Sequence, residues 1–227
     1  MSEASMSDPS AATHYVFDAY GTLFDVHAAA LRYREAIGPA WQQLSQVWRA
    51  KHLEYTWVHA LSRRPAAFWE LAHRSLDYAI ASIGITPAEG IRQGLLAAYR
   101  TMDAFPEVAG VLWALKSRGA RVAILSNGDP DMLEEAVRAA NLAASIDAVL
   151  SVSAAGIFKP APEVYRLATH RFGCTPPQIS FQSSNRWDIA GAKAFGFRCV
   201  WVNRTGAADE YPDLAPDRVV GDLTGLL

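Results

Sequence analysis

Carboxylates, hydroxyls, amides and one lysine recur in this chain just after short apolar runs. The run His14–Phe17 is followed by Asp18, Tyr20 and Thr22, and the run Val122–Leu125 by Ser126, Asn127 and Gly128. A later run, Ile179–Gln182, is followed by Ser183, Ser184, Asn185 and, one helical turn on, Asp188. Lys159 stands in the loop segment Gly156-Ile157-Phe158-Lys159-Pro160. A carboxylate can act as nucleophile or general base, a lysine can hold it ionised, and Ser, Thr and Asn add neutral donors. Singly, each residue has a plain structural explanation. Asp18 suits a turn, Ser126 to Gly128 suit turn chemistry, Lys159 suits a surface, and Asp188 suits the first turn of a helix starting near Trp187. Jointly, their order and placement predict one catalytic cluster with Asp18 as a carboxylate nucleophile.

The elements that would gather these residues follow from the pattern. The runs named above, with Cys199–Val202 and a weaker run at Ala148–Val152, are apolar on both faces, as strands of a buried parallel sheet are. Helical spacing appears at Val108–Arg118, Met132–Ala140, Glu163–Phe172 and Ile189–Phe195, with Gly119 and Gly196 just past two of the ends. Strands alternating with helices predict an α/β fold with a Rossmann-like parallel sheet and helices on both faces. Residues 27–103 break the alternation, with helices expected at Trp41–Ser62, Pro65–Ile83 and Pro87–Tyr99 and no strand. The expected organisation is a core of 13–26 and 104–227, an inserted helical cap at 27–103, and a disordered tail at 1–12. The cap would lie over the carboxyl ends of the strands, where open α/β sheets bind ligands.

The ordered set Phe17-Asp18-Ala19-Tyr20-Gly21-Thr22-Leu23, then Leu125-Ser126-Asn127-Gly128, then Lys159-Pro160, then Ser183-Ser184-Asn185-Arg186-Trp187-Asp188 resembles the haloacid dehalogenase superfamily. Most members are magnesium-dependent phosphohydrolases, so that activity is the default. It requires an acid two residues after the nucleophile and a cluster of carboxylates for Mg²⁺. Here the first position holds Tyr20, a far weaker acid, and Ser183-Ser184-Asn185 stands where the superfamily has an acidic pair. A halide needs no proton to leave. The closer resemblance is to the L-2-haloacid dehalogenases, which the segment Val47–Trp57 also resembles.

That resemblance implies hydrolysis of short-chain L-2-haloalkanoic acids to D-2-hydroxyalkanoic acids through an aspartyl ester, with no metal and no cofactor. By motif, Asp18 is the nucleophile, Lys159, Thr22 and Ser183 orient it, and Asp188 activates water. Ser126, with backbone N–H groups near Ala19 and Asn127, binds the substrate carboxylate. Arg49, Asn127 and Trp187 hold the halide, while Tyr20, Leu53, Trp57, Phe68 and Trp187 wall the pocket. Tyr165 supports the site and Asn185 adds a polar contact. Ala19, Ala50 and Gln182 depart from residues common among relatives, and the first two are expected to enlarge the pocket. A Mg²⁺-dependent phosphatase and a catalytically silent binding protein are the alternatives.

Composition sets broader bounds. The 227 residues are 51% hydrophobic and 19% charged, with net charge −2 and no sustained basic run, so nucleic-acid and membrane partners are not expected. The N-terminus lacks the features of a signal peptide, and no apolar run approaches the roughly 20 residues of a membrane span. Two cysteines, Cys174 and Cys199, lack metal-ligand spacing and are expected to be buried in a reducing, cytoplasmic compartment. The expected partner is a small 2-haloacid, and the resemblance adds a homodimer.

Overall fold

The computed structural model describes residues 13–227, so the expected tail at 1–12 lies outside the described residues. The apolar runs form strands His14–Phe17 (β1), Arg121–Ser126 (β2), Ala148–Ser151 (β3), Ile179–Ser183 (β4) and Arg198–Val202 (β5). A sixth strand, Arg218–Val220 (β6), was not expected. It has three residues, two of them exposed, which is too short and too wet to leave an apolar run. All six form one parallel sheet in the order β3-β2-β1-β4-β5-β6. Every residue of β4 is buried, as expected of a strand covered on both faces.

Between β1 and β2 the described chain is helical: Ala28–Arg32 (α1), Arg34–Ile37 (α2), Trp41–Leu61 (α3), Phe68–Ser82 (α4), Ile91–Arg100 (α5) and Val108–Ser117 (α6). The two shortest, α1 and α2, had no periodicity long enough to read. Helix α4 begins at Phe68 rather than Pro65, since the chain is still extended at Ala67. The two chain passes that join this segment to the sheet are paired. Asp25 N–H donates to the Asp103 carbonyl at 2.9 Å and Phe105 N–H to the Leu23 carbonyl at 3.0 Å.

The remaining helices are Pro130–Ala139 (α7), Pro162–Phe172 (α8) and Arg186–Phe195 (α9). Helices α7 and α8 start one or two residues earlier than periodicity suggests, since proline is pre-set for the first helical position. Cys199 is buried as expected, but Cys174 is only half-buried. No helix among the described residues is long and apolar enough to cross a membrane.

Candidate active site

The strands β2, β1 and β4 are parallel neighbours, so their carboxyl ends open on one edge of the sheet. Chain order reverses between β1 and β4, which is where such sheets bind ligands. Asp18 follows β1 directly, with its N–H donating to the Gln182 carbonyl at 2.9 Å. Its carboxylate is almost buried and fully engaged. Oδ1 accepts from Lys159 Nζ at 3.0 Å. Oδ2 accepts from Asn185 Nδ2 at 2.8 Å, Thr22 Oγ1 at 3.0 Å and, at the long limit of 3.5 Å, Ser183 Oγ. Thr22 Oγ1 is itself fixed by the Ser184 N–H at 2.8 Å.

Lys159 Nζ also donates to Asp188 Oδ2 at 2.8 Å, so one buried ammonium bridges two buried carboxylates. Burial pulls the lysine pKa down, but Asp18 and Asp188 outweigh it and the net shift is upward. Asp188 is pushed up to about 6, by burial first; the Lys159 charge opposes this and the Asp18 charge adds to it. Tyr165 OH donates to Asp188 Oδ1 at 2.8 Å, and burial holds that phenol neutral. Tyr165 fits because residue 191 is glycine: a Cβ there would come within 2.5 Å of the phenol oxygen.

Ser126 Oγ accepts the Gly128 N–H at 3.1 Å, which leaves its own hydrogen free to donate. Asn127 Oδ1 accepts the Lys159 N–H at 2.9 Å, tying the β2 loop to the lysine loop. From α3, Arg49 Nη2 donates to the Tyr20 carbonyl and to Asn185 Oδ1, each at 3.1 Å. Tyr20 stacks on Tyr99 and meets the Phe68 ring at a tilt, and burial raises its pKa well above the usual phenol value. It is therefore an even weaker acid here than in water.

These residues enclose a small cavity lined by Asp18, Tyr20, Arg49, Leu53, Phe68, Ser126, Asn127, Asn185 and Trp187. Its free volume is about 10 Å³, roughly what one water needs. A carboxylate nucleophile, a bridging lysine and a second carboxylate set at strand ends suit hydrolysis through a covalent ester.

Residues 13–196 match the family profile of haloacid dehalogenase-like hydrolases. The chain belongs to that family. It is 44% identical over 203 residues to (S)-2-haloacid dehalogenase 1 of Pseudomonas sp. (strain CBS-3), covering 89% of each chain. It superposes on a solved dehalogenase structure with a TM-score of 0.92 at 40% identity, covering 94% of each chain. It also superposes on the L-2-haloacid dehalogenase of Xanthobacter autotrophicus with chloropropionic acid covalently bound, with a TM-score of 0.82 at 37% identity. That match covers 94% of this chain and 96% of the other.

Against this family background, most residues singled out from sequence meet at the one site. Thr22, Lys159, Tyr165, Ser183 and Asp188 lie behind the cavity, bonded to one another or to Asp18, rather than lining it. Trp57 does not line it either. Arg49, Leu53 and Trp57 form one stripe on α3, but each step of four residues climbs about 6 Å. Trp57 therefore overshoots and meets Trp187 edge-on, with ring centroids 5.5 Å apart. Neither Ala19 nor Ala50 lines the cavity. Ala50 is exposed on α3, and Ala19 is buried with its carbonyl accepting the N–H groups of Thr22, Leu23 and Phe24. Gln182 is buried with its side-chain nitrogen on Ser180 Oγ, away from the cavity.

Sequence reasoning missed a supporting layer. His52 Nε2 lies 3.1 Å from the Phe68 carbonyl, and its other ring nitrogen lies 3.3 Å from Tyr99 OH. Burial, assisted by the Arg49 charge, lowers the His52 pKa to about 3, so this link is neutral. Arg204 donates to the Thr22 carbonyl at 2.9 Å and pairs with Glu107 at 2.6 Å. His52 lies within the Val47–Trp57 segment but carried no expected role, and Arg204 sits in no motif; long-range contact reveals what both do.

Proposed function

We propose that this hydrolase converts short-chain L-2-haloalkanoic acids to D-2-hydroxyalkanoic acids by way of an ester on Asp18, with no metal or other cofactor. The observation that carries this reading is the Asp18–Lys159–Asp188 bridge. Lys159 already holds both carboxylates that a phosphatase would turn toward Mg²⁺, and Tyr20 stands where that enzyme keeps its acid. A leaving group that departs as an anion needs neither.

In this reading Oδ2 of Asp18 is held by three side-chain donors, leaving Oδ1, with Lys159 alone, as the freer nucleophile. Its attack on C2 forms a C–O bond, breaks the carbon–halogen bond and inverts the carbon. Ser126 and nearby backbone N–H groups orient the substrate carboxylate. Arg49, Asn127 and Trp187 receive the halide, and Leu53, Phe68 and Tyr20 exclude bulk water, so that fixed donors replace the hydration of the nucleophile. Water, deprotonated by Asp188, then adds to the ester carbonyl and frees the hydroxy acid. Residues 27–103 act as the cap over this site. The family relationship and a relative that carries chloropropionic acid covalently support the ester.

The test is halide release from L-2-chloropropionate in the presence of EDTA. Undiminished release is expected. No release there, together with EDTA-sensitive hydrolysis of a phosphate monoester, would overturn the proposal.

A pH dependence follows from Asp188. A base must be deprotonated to work. Asp188 is raised to about 6 in the free enzyme, by burial first, and burial persists in the ester, where the Asp18 charge is gone, so turnover is expected to fall on acidification at a pH above the ordinary carboxylate range. A kcat profile flat down to pH 4.5 or so, near the ordinary carboxylate range, would remove Asp188 as the base.

A further inference from the structure

Asp129 departs from what its position predicts. It precedes Pro130, the first residue of α7, where an aspartate usually caps its own helix, yet its carboxylate makes no bond to α7. Instead Oδ1 accepts the Phe68 N–H at 3.1 Å and Oδ2 the Trp69 N–H at 2.8 Å. These are the first two amides of α4, which have no acceptor inside their own helix, and the Ala67 side chain offers none. The loop that carries Ser126 and Asn127 thus caps a helix of the segment between β1 and β2.

Phe68 makes this contact consequential. Its ring lines the small cavity beside Asp18 and faces the Phe158 ring with centroids 6.4 Å apart. Phe158 in turn lines an open cleft of about 870 Å³, together with Ala67, Asp129 and Ile157. The two phenyl rings therefore stand between a space for about one water and a cleft large enough for a small organic acid. The corner has a second tie. Arg100 of α5 bonds Asp131 and Glu135 of α7 at 2.7 and 2.6 Å and lies over the Trp69 ring.

We propose that Asp129 is a positioning residue that holds Phe68 across the opening between cleft and cavity, and that the small haloacid reaches Asp18 through this opening. What passes rests on the dehalogenase reading; the latch does not. Releasing the carboxylate frees the first turn of α4, while the Arg100 tie keeps the corner assembled.

The experiment compares Asp129→Ala and Asp129→Asn with the parent enzyme, using L-2-chloropropionate kinetics and amide hydrogen exchange. In the Ala variant KM is expected to rise about tenfold with a much smaller fall in kcat, the size of one lost helix cap. The Asn variant keeps an acceptor oxygen and is expected to recover most of that loss. Exchange of the Phe68 and Trp69 amides should accelerate in the Ala variant, with the middle of α3 unchanged. Unchanged exchange at those amides, or faster exchange with KM unmoved, overturns the proposal. Should the parent enzyme release no halide, the dehalogenase reading fails alone, and the exchange comparison still decides whether the latch exists.

Discussion

Asp18→Asn is expected to leave a folded protein whose halide release is lower by about four orders of magnitude or more, the usual loss when a covalent nucleophile is removed. The carboxamide keeps the shape of the side chain but not its charge, and no other carboxylate lines the cavity. Folding survives because the change converts one cation between two carboxylates into a neutral Lys159–Asp188 pair. Isotope labelling separates an ester from direct attack by water. In a single turnover of the parent enzyme in H₂¹⁸O, the label is expected in Asp18, since water adds to the ester carbonyl and the product carries away an aspartate oxygen. Label in the product of that first turnover excludes the ester.

Lys159→Met is expected to be worse for the fold than for any single step. It removes the cation that both Asp18 and Asp188 share, at a position only 1% exposed, and leaves two buried carboxylates facing each other. Breaking a buried ion pair by deleting one partner costs about 3–5 kcal/mol. The sign of the pH dependence is a further check. Burial already raises the Asp188 pKa against the pull of Lys159, so without the ammonium it rises further above its unfolded value near 4. Protonation then favours the folded state, so the variant's stability is greatest at low pH and is lost as pH rises through the raised pKa. Urea midpoints at pH 5 and pH 8, taken beside the parent protein, read this directly. Equal losses at both pH values would mean that packing, rather than charge, is what Lys159 supplies. Catalysis should vanish as well, because Lys159 is the group that holds both Asp18 and Asp188 in place.

Much of the architecture was legible because its physics is local. Strands buried on both faces leave apolar runs, and β1, β2, β4 and β5 were visible for that reason. The residues just after those runs proved to be the ones that meet, because parallel neighbouring strands end on the same edge. What escaped is non-local or too short. Strand β6 has three residues and helices α1 and α2 have five and four. Trp57, which the resemblance placed in the pocket wall, sits a turn beyond Leu53 and meets the lining residue Trp187 edge-on. Asp129 reads in sequence as turn chemistry before a proline, and only the folded chain shows that its carboxylate serves a helix 60 residues away. The same holds for Arg204, whose bond to the Thr22 carbonyl spans 182 positions.

The small cavity beside Asp18 is too tight for the molecule it is read to act on. About 10 Å³ suits one water, and a 2-haloacid needs several times that, so the lining must give way as the acid arrives. Arg49, Leu53 and Phe68, from the segment between β1 and β2, line the space together with Asp18, Ser126 and Asn127 from the strand ends. Filling it therefore means parting the two sets. A site that is shut when empty keeps bulk water from the nucleophile between turnovers.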